Sequence, residues 1–366
     1  MIEKIKRVVE KFGLNLELPK PEFGDLCIPC FKKTEEIEKI KKQLEAIDGI
    51  KKIELVGGFL NLWLDDYYKL KFIESYRPKK KKEKVLVEHT SINPNASPHI
   101  GRARNAIIGD CISRLLKFYG YDVETHYYVN DIGKQVAMLC LMASGKENFD
   151  DMLRVYQEAA RRIEIDKEFE KKVFDFLEKI EKNDKKAIGK IRKIVKKCVE
   201  GQTKILKKIN VGFDFFDYES DFLNIAKETV KKFYEEGKLT KDKEGRLVFD
   251  LTGSGLEKGM KEPFVALTRP NGTTLYLTRD IAYTIWKLKK TKHNIIVLGE
   301  DQKLYFKQLS HILKNLGYQP PTVIHYSMVL IQTKEKATKM STRIGNVVLL
   351  KDFFDSVCRN FAESYC

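Results

Sequence analysis

Apolar positions along this chain change their spacing several times, and each change marks a different kind of element. Ile2, Ile5, Val8, Val9 and Phe12 recur at helical spacing until Gly13 interrupts them, which predicts one short amphipathic helix. After Pro19-Lys20-Pro21, two apolar stretches, Leu26 to Phe31 and Phe59 to Leu64, flank a Lys/Glu-rich helical segment. Residues 1–78 therefore read as a small α+β unit. Pro78 and the four lysines at 79–82 mark a boundary, and 79–84 reads as a basic linker.

From Val85 the pattern becomes strand, helix, strand. Val85-Leu86-Val87 predicts a strand, and Ala106, Ile107, Cys111, Leu115, Leu116 and Tyr119 predict the buried face of a helix ending near Gly120. Val123 to Tyr128 predicts the next strand. Such alternation calls for a parallel sheet with helices on its faces, where ligands bind at the carboxyl ends of the strands. Residues 145–246 are rich in Lys and Glu, with heptad-like apolar spacing at Val173, Phe174, Phe176, Leu177 and Ile180, and read as a mainly helical insertion between two halves of that sheet, 85–144 and 247–332. In the second half, strand signals fall at Leu247 to Phe249, Pro263 to Leu267, Thr274 to Leu277 and Ile295 to Leu298. Residues 333–366 read as a basic loop after Val329-Leu330-Ile331, then a helical face begun by Phe353, Phe354, Val357 and Phe361. That face stops with the chain at Cys366 and reads as cut within a helix.

Composition narrows the class without naming a function. The 366 residues include 68 Lys and Arg against 52 Asp and Glu, a formal charge of +16. That excess attracts polyanions, although a Lys/Glu-solvated surface explains it equally well. Seven cysteines, an odd number, argue against a disulfide framework, and Cys27-Ile28-Pro29-Cys30 has no second pair or nearby histidine with which to complete a zinc site. The cysteines are expected as small buried residues, with no metal site. No apolar run approaches the roughly 18 residues of a membrane span, and the charged start Met1-Ile2-Glu3-Lys4-Ile5-Lys6 is no signal segment, so a cytoplasmic protein is expected.

The chemistry concentrates between Glu88 and Asn105. A strand feeds a helix through Glu88-His89-Thr90-Ser91-Ile92-Asn93-Pro94-Asn95-Ala96-Ser97-Pro98-His99-Ile100-Gly101-Arg102. Unpaired N–H groups at such a helix start suit a polyphosphate. By itself a His-x-Gly there is weak, since a histidine near a helix start is often only a cap. Lys339-Met340-Ser341-Thr342-Arg343 lies far downstream, and together the two segments resemble the paired signatures of class I aminoacyl-tRNA synthetases. Glu88 to Pro94, Ala103 to Asp110, Leu275 to Tyr283 and Met340 to Val348 are similar to the arginyl-tRNA synthetase family in particular, over nearly the whole chain.

That resemblance implies a class I Rossmann-type α/β catalytic domain with a helical insertion, behind a small α+β N-terminal domain. It implies an arginine–tRNA ligase using ATP with Mg2+, L-arginine and tRNA(Arg), and expected as a monomer. His99, Gly101, Arg102, Lys339 and Ser341 would serve catalysis, with Met328, Val329 and Met340 also at ATP. Glu88, Ser91, Asn93, Tyr276, Asp280 and Gln302 would hold arginine, and Phe59 and Asn61 would meet a tRNA loop base. Arg102 stands where the family's first signature has its second histidine, Thr342 and Arg343 replace the second lysine of the loop, and the family's helical anticodon-binding domain is not among these residues. A tRNA-binding paralogue with impaired catalysis, and a paralogue making arginyl-adenylate or arginyl-tRNA for another pathway, stay open at this point. A generic nucleotidylyltransferase is disfavoured, because it has no need of the Lys339 loop, the insertion or the arginine set.

Overall fold

The computed structural model describes residues 1–31, 33–258, 260–332, 337–339 and 347–365. The chain divides into two units, Met1–Lys79 and Lys80–Cys366. The first contains α1 (Ile2–Lys11), β1 (Leu26–Pro29), α2 (Ile37–Glu45), β2 (Ile50–Val56), β3 (Phe59–Leu64) and α3 (Asp66–Ser75). Its antiparallel sheet runs β1-β3-β2. Leu60, Leu62 and Leu64 alternate along β3 onto the face covered by Ile5, Val9, Ile40 and Leu44, as a half-buried strand requires. The β2–β3 hairpin turns on Gly57 and Gly58, both at positive φ, and a side chain at Gly58 would run into the Phe31 ring.

The second unit begins with β4 (Lys84–Glu88), α4 (Ile100–Phe118), β5 (Asp122–Val129) and α5 (Lys134–Met142). Three long helices follow, α6 (Met152–Ile165), α7 (Lys167–Glu181) and α8 (Lys185–Lys207), then β6 (Phe215–Tyr218) and α9 (Leu223–Glu235). Next come β7 (Thr240–Lys241), β8 (Leu247–Asp250), β9 (Phe264–Ala266), α10 (Tyr276–Lys290), β10 (His293–Gly299), α11 (Lys303–Asn315) and β11 (Thr322–Tyr326). β12 (Leu330–Gln332), β13 (Ala337–Lys339) and α12 (Leu350–Tyr365) complete it.

Five strands form one parallel sheet in the order β11-β10-β4-β5-β6. The chain builds outward from β4 in one direction, then returns to the other side of β4 with β10. The crevice between the ends of β4 and β10 is therefore the topological switch point of the sheet, where such folds bind ligands.

Several expectations are corrected. β6 lies within the segment expected to be mainly helical and pairs with β5, from His126–Phe215 to Val129–Tyr218. β8 and β9 do not belong to the parallel sheet; with β7 they form a separate antiparallel one. Thr274 to Leu277 is no strand: Thr274 makes an isolated bridge with Thr268, and α10 starts at Tyr276. The helical spacing of Leu277, Ile281 and Ile285, all buried, outweighs the short alternation before it. On α4 the buried face is Ala103, Asn105, Ala106, Gly109 and Ser113, while Ile107, Cys111, Leu115 and Tyr119 are exposed. Small residues win there because the helix lies close to the sheet, and a Cβ at Gly109 would overlap His89. Phe174 is exposed on α7, beside the Lys134 ammonium, while Val173, Phe176, Leu177 and Ile180 are buried.

Candidate active site

Glu88 ends β4, and the loop that follows is held in a strained shape. Thr90 and Ser91 both have positive φ, 82° and 41°, which non-glycine residues adopt only when their surroundings impose it. Asn105 on α4 imposes it: its side-chain carbonyl accepts the Thr90 N–H at 2.5 Å while its amide donates to the Val297 carbonyl of β10 at 2.9 Å. Gln135 on α5 accepts from both Asn93 and Asn95 at 3.0 Å, and Gln202 on α8 donates to the carbonyls of Asn93 and Ala96 at 3.0 and 2.8 Å. The loop is thus held by α5 and, through α8, by the helical insertion.

The loop delivers the start of α4. His99 is the N-cap residue and makes no side-chain cap, and no acidic side chain occupies the first turn, so the positive helix end is left for an anion. Burial and the Arg102 charge push the His99 imidazole down to about 4, so it is neutral near pH 7. Its Nδ1 is buried without a partner. Backbone bonds from Ile100 to Val348 (3.1 Å) and from Leu350 to Pro98 (2.9 Å) clamp the segment just beyond the Lys339 loop onto this helix start.

At the switch point lies a cavity of about 400 Å³. Its wall includes Glu88, Ser91, Asn93, Tyr276, Asp280 and Gln302 of the expected arginine set, together with His99, Gly101, Arg102, Met328 and Val329 of the expected ATP set. Residues from β4, α4, α10 and the segments after β10 and β11 thus meet in one space.

The charges in that space are unequally matched. Glu88 is buried and paired with the buried Lys287 of α10. Glu219, also buried, pairs with Arg279 at 2.5 Å. Asp280 faces the cavity with no cation beside it that hydrogen-bonds to it; its Oδ2 accepts from the Tyr305 hydroxyl at 2.8 Å and its Oδ1 from Thr284 at 3.5 Å. Burial, reinforced by the Glu88 charge, raises the Asp280 carboxyl to about 6. A buried carboxylate held only by hydroxyls is poised for a cation. Tyr276, 40% exposed, stands across from Tyr305 with ring centroids 5.5 Å apart.

Sequence reasoning missed Lys287, Tyr305, Gln135 and Gln202. Lys287 carried a faint signal, since it lies two turns beyond Asp280 on one helix face; the glutamines carried none. The N-terminal pair fares differently. Phe59 is half-buried, edge-on to Phe31 with centroids 4.8 Å apart, and Asn61 is only 3% exposed, so its amide is not open to a base in this conformation. Lys339 ends β13, opposite Leu330, with its side chain outside the described residues, as are Met340, Ser341, Thr342 and Arg343 altogether. Cys27, Cys30, Cys140 and Cys198 are buried free thiols, whereas Cys111 is exposed.

Residues 70–363 match the family model described as tRNA synthetases class I (R), catalytic domain. The arginine–tRNA ligase of Methanocaldococcus jannaschii is 35% identical across 98% of this chain and 67% of its own length. This chain belongs to the arginyl-tRNA synthetase family. A second relative, the arginine–tRNA ligase of Methanocella arvoryzae, is 36% identical over 91% of the chain and 63% of its own length. The chain spans about two thirds of the length of these curated relatives. The solved arginyl-tRNA synthetase of Thermus thermophilus shares the fold, with a TM-score of 0.71 at 23% identity over 98% of this chain and 69% of that one.

Proposed function

We propose that the protein is an arginine–tRNA ligase, which activates L-arginine with ATP and passes the arginyl group to the 3′ end of tRNA(Arg). The observation that carries this reading is Asp280: of the two buried carboxylates that line the cavity among the described residues, Glu88 and Asp280, it is the one without a basic side chain bonded to it, and Asp301 on the same wall is exposed. A guanidinium is always charged and offers donors in a planar fork, so a buried carboxylate flanked by tyrosines suits it.

In this reading Asp280 and Tyr276 take the guanidinium, while Asn93 and Gln302 hold the amino and carboxylate end. An arginine carboxylate oxygen attacks the α-phosphorus, the bond to the β-phosphate bridging oxygen breaks, and pyrophosphate leaves. Charge grows on the phosphate oxygens, and the α4 N-terminus, His99 and Arg102 supply fixed donors for it. A ribose hydroxyl of tRNA then attacks the arginyl carbonyl and AMP departs. Mg2+ would arrive with the nucleotide; among the described residues no cluster of three or more His, Cys, Asp and Glu is placed to hold a metal. No described helix is long and apolar enough to cross a membrane, and work on tRNA suits the cytoplasm.

Arg102 favours a second reading, a tRNA-binding relative with impaired chemistry. It lines the cavity as a fixed cation where the family has an imidazole. Arginine-dependent ATP–pyrophosphate exchange, with and without tRNA, decides between them. Exchange that requires arginine supports the ligase; tRNA binding with no exchange in the presence of arginine and tRNA sinks it.

A further inference from the structure

Of four tyrosines in this region, the buried Tyr127, Tyr128 and Tyr283 and the half-buried Tyr305, three use their hydroxyls within the protein. Tyr127 donates to the Ile92 carbonyl at 3.0 Å and contacts Gln202 at 2.9 Å; Tyr283 bonds Asp217 at 2.7 Å; Tyr305 bonds Asp280 at 2.8 Å. Tyr128 is the exception. It is 3% exposed, lines the cavity, and its hydroxyl has no hydrogen-bond partner among the described residues. The ring itself is fixed, stacked on Tyr283 with centroids 4.4 Å apart and flanked by Phe222 at 6.4 Å. A buried hydroxyl without a partner is unfavourable, and one on a ring that lines a cavity can gain its partner from what enters that cavity.

We propose that Tyr128 is a specificity residue whose hydroxyl oxygen accepts an N–H from the guanidinium of bound arginine. The inference rests on the arginine reading above and extends it. The neighbouring cations are already committed, Lys287 to Glu88 and Arg279 to Glu219. The buried acceptor left open on this wall among the described residues is Asp280, so the ligand end that docks beside it is cationic. A guanidinium carries five N–H donors and no acceptor, which obliges the phenol to accept. Burial, with the Glu219 and Asp280 charges, holds the phenol well above its ordinary range, so it stays neutral and its acceptor role does not titrate.

The test is calorimetric titration of the wild-type chain and Tyr128→Phe with L-arginine and with agmatine, which keeps the guanidinium and lacks the carboxylate. Phenylalanine preserves the stacking and removes only an unpaired oxygen, so the variant should melt no lower than wild type. Both ligands should bind about 10- to 100-fold more weakly, equally at pH 6.5 and pH 8. Unchanged arginine affinity overturns the assignment, as does a loss seen with arginine but not agmatine, which would put the hydroxyl at the carboxylate. A lowered melting temperature accompanying the loss also overturns it, by making the hydroxyl structural. If the wild type binds neither ligand, the arginine reading itself falls and takes this one with it.

Discussion

Lys287 on α10 is buried against Glu88 at the end of β4, and this ion pair determines which carboxylate is left for a ligand. With Glu88 neutralised inside the protein, Asp280, two turns before Lys287 on the same helix, is the buried acidic group that a monocation would meet in the cavity, whereas Asp301 is exposed.

Asp280→Asn should therefore raise the KM for arginine by about 10- to 150-fold, the equivalent of roughly 1.5–3 kcal/mol for a hydrogen bond to a charge. The KM for ATP should stay near wild type, because the nucleotide set lies at the α4 end of the cavity. Steady-state pyrophosphate exchange with each substrate varied in turn measures both.

The raised carboxyls make binding and stability pH-dependent in opposite senses. Asp280 titrates at about 6 and Glu219 at about 7, burial being the larger cause in each. Between roughly pH 4, the ordinary carboxylate value, and pH 7 the folded protein keeps protons that the unfolded chain has lost. The contribution of these groups to stability thus falls as pH rises through that window. Arginine binding should run the other way, strengthening as pH climbs through 6 and levelling off above 7. Urea unfolding and arginine titrations at pH 5, 6, 7 and 8 test both trends, and Asp280→Asn should flatten the binding profile.

Lys287→Met should be costly because it strands a buried carboxylate. Breaking one side of such a pair typically costs about 3–5 kcal/mol, whereas removing both sides often restores much of it. Equilibrium unfolding of Lys287→Met, Glu88→Gln and the double variant should show strong coupling between the two positions; additive losses would mean that the pair is not a unit.

Gln202→Leu should loosen the loop from Asn93 to Ala96, whose carbonyls it currently satisfies. Losing these bonds at a fully buried position should cost about 1–3 kcal/mol in unfolding experiments. Both arginine and ATP affinities should weaken together, unlike the selective effect at Asp280. A Gln202→Leu protein with wild-type stability and affinities would show that the loop holds its shape without α8.

Gly109→Ala tests the close approach of α4 to His89. The added methyl would overlap that ring, and overpacking of this kind costs about 1–3 kcal/mol despite the better helix propensity of alanine. Differential scanning calorimetry should show a lower Tm, not the rise expected for an unconstrained helical glycine.

Much of this was legible in residue order because the informative patterns are local. Val85 to Val87 and Ile295 to Leu298 are dense apolar runs, as a parallel sheet covered on both faces demands, and Val123 to Tyr128 reads as strand through its β-branched and aromatic residues. The candidate arginine and ATP residues rest on family motifs alone in the sequence, since nothing local separates Asp280 from any other acid on a helix; the structure brings most of the described ones to one cavity. Tyr276 was misread as strand because four residues of alternation cannot be told from the first turn of a buried helix. The bonds from Gln135 and Gln202 were illegible for another reason: they join residues some 40 and 109 positions apart that only the folded chain brings together. The α4 face was misread because its large apolar side chains point outward, while glycine, alanine and serine do the packing.

The order of the sheet also sets a timetable for synthesis. β4 lies between β5, which follows it soon, and β10, which begins at His293, roughly 200 residues after Glu88. At about 5–20 residues per second, the ribosome leaves the β10-facing edge of Val85-Leu86-Val87 without its partner for roughly ten to forty seconds. During that interval an apolar strand edge is exposed on the nascent chain, the kind of surface on which chaperones act and aggregates start. The ligand crevice comes into being only when β10 docks beside β4.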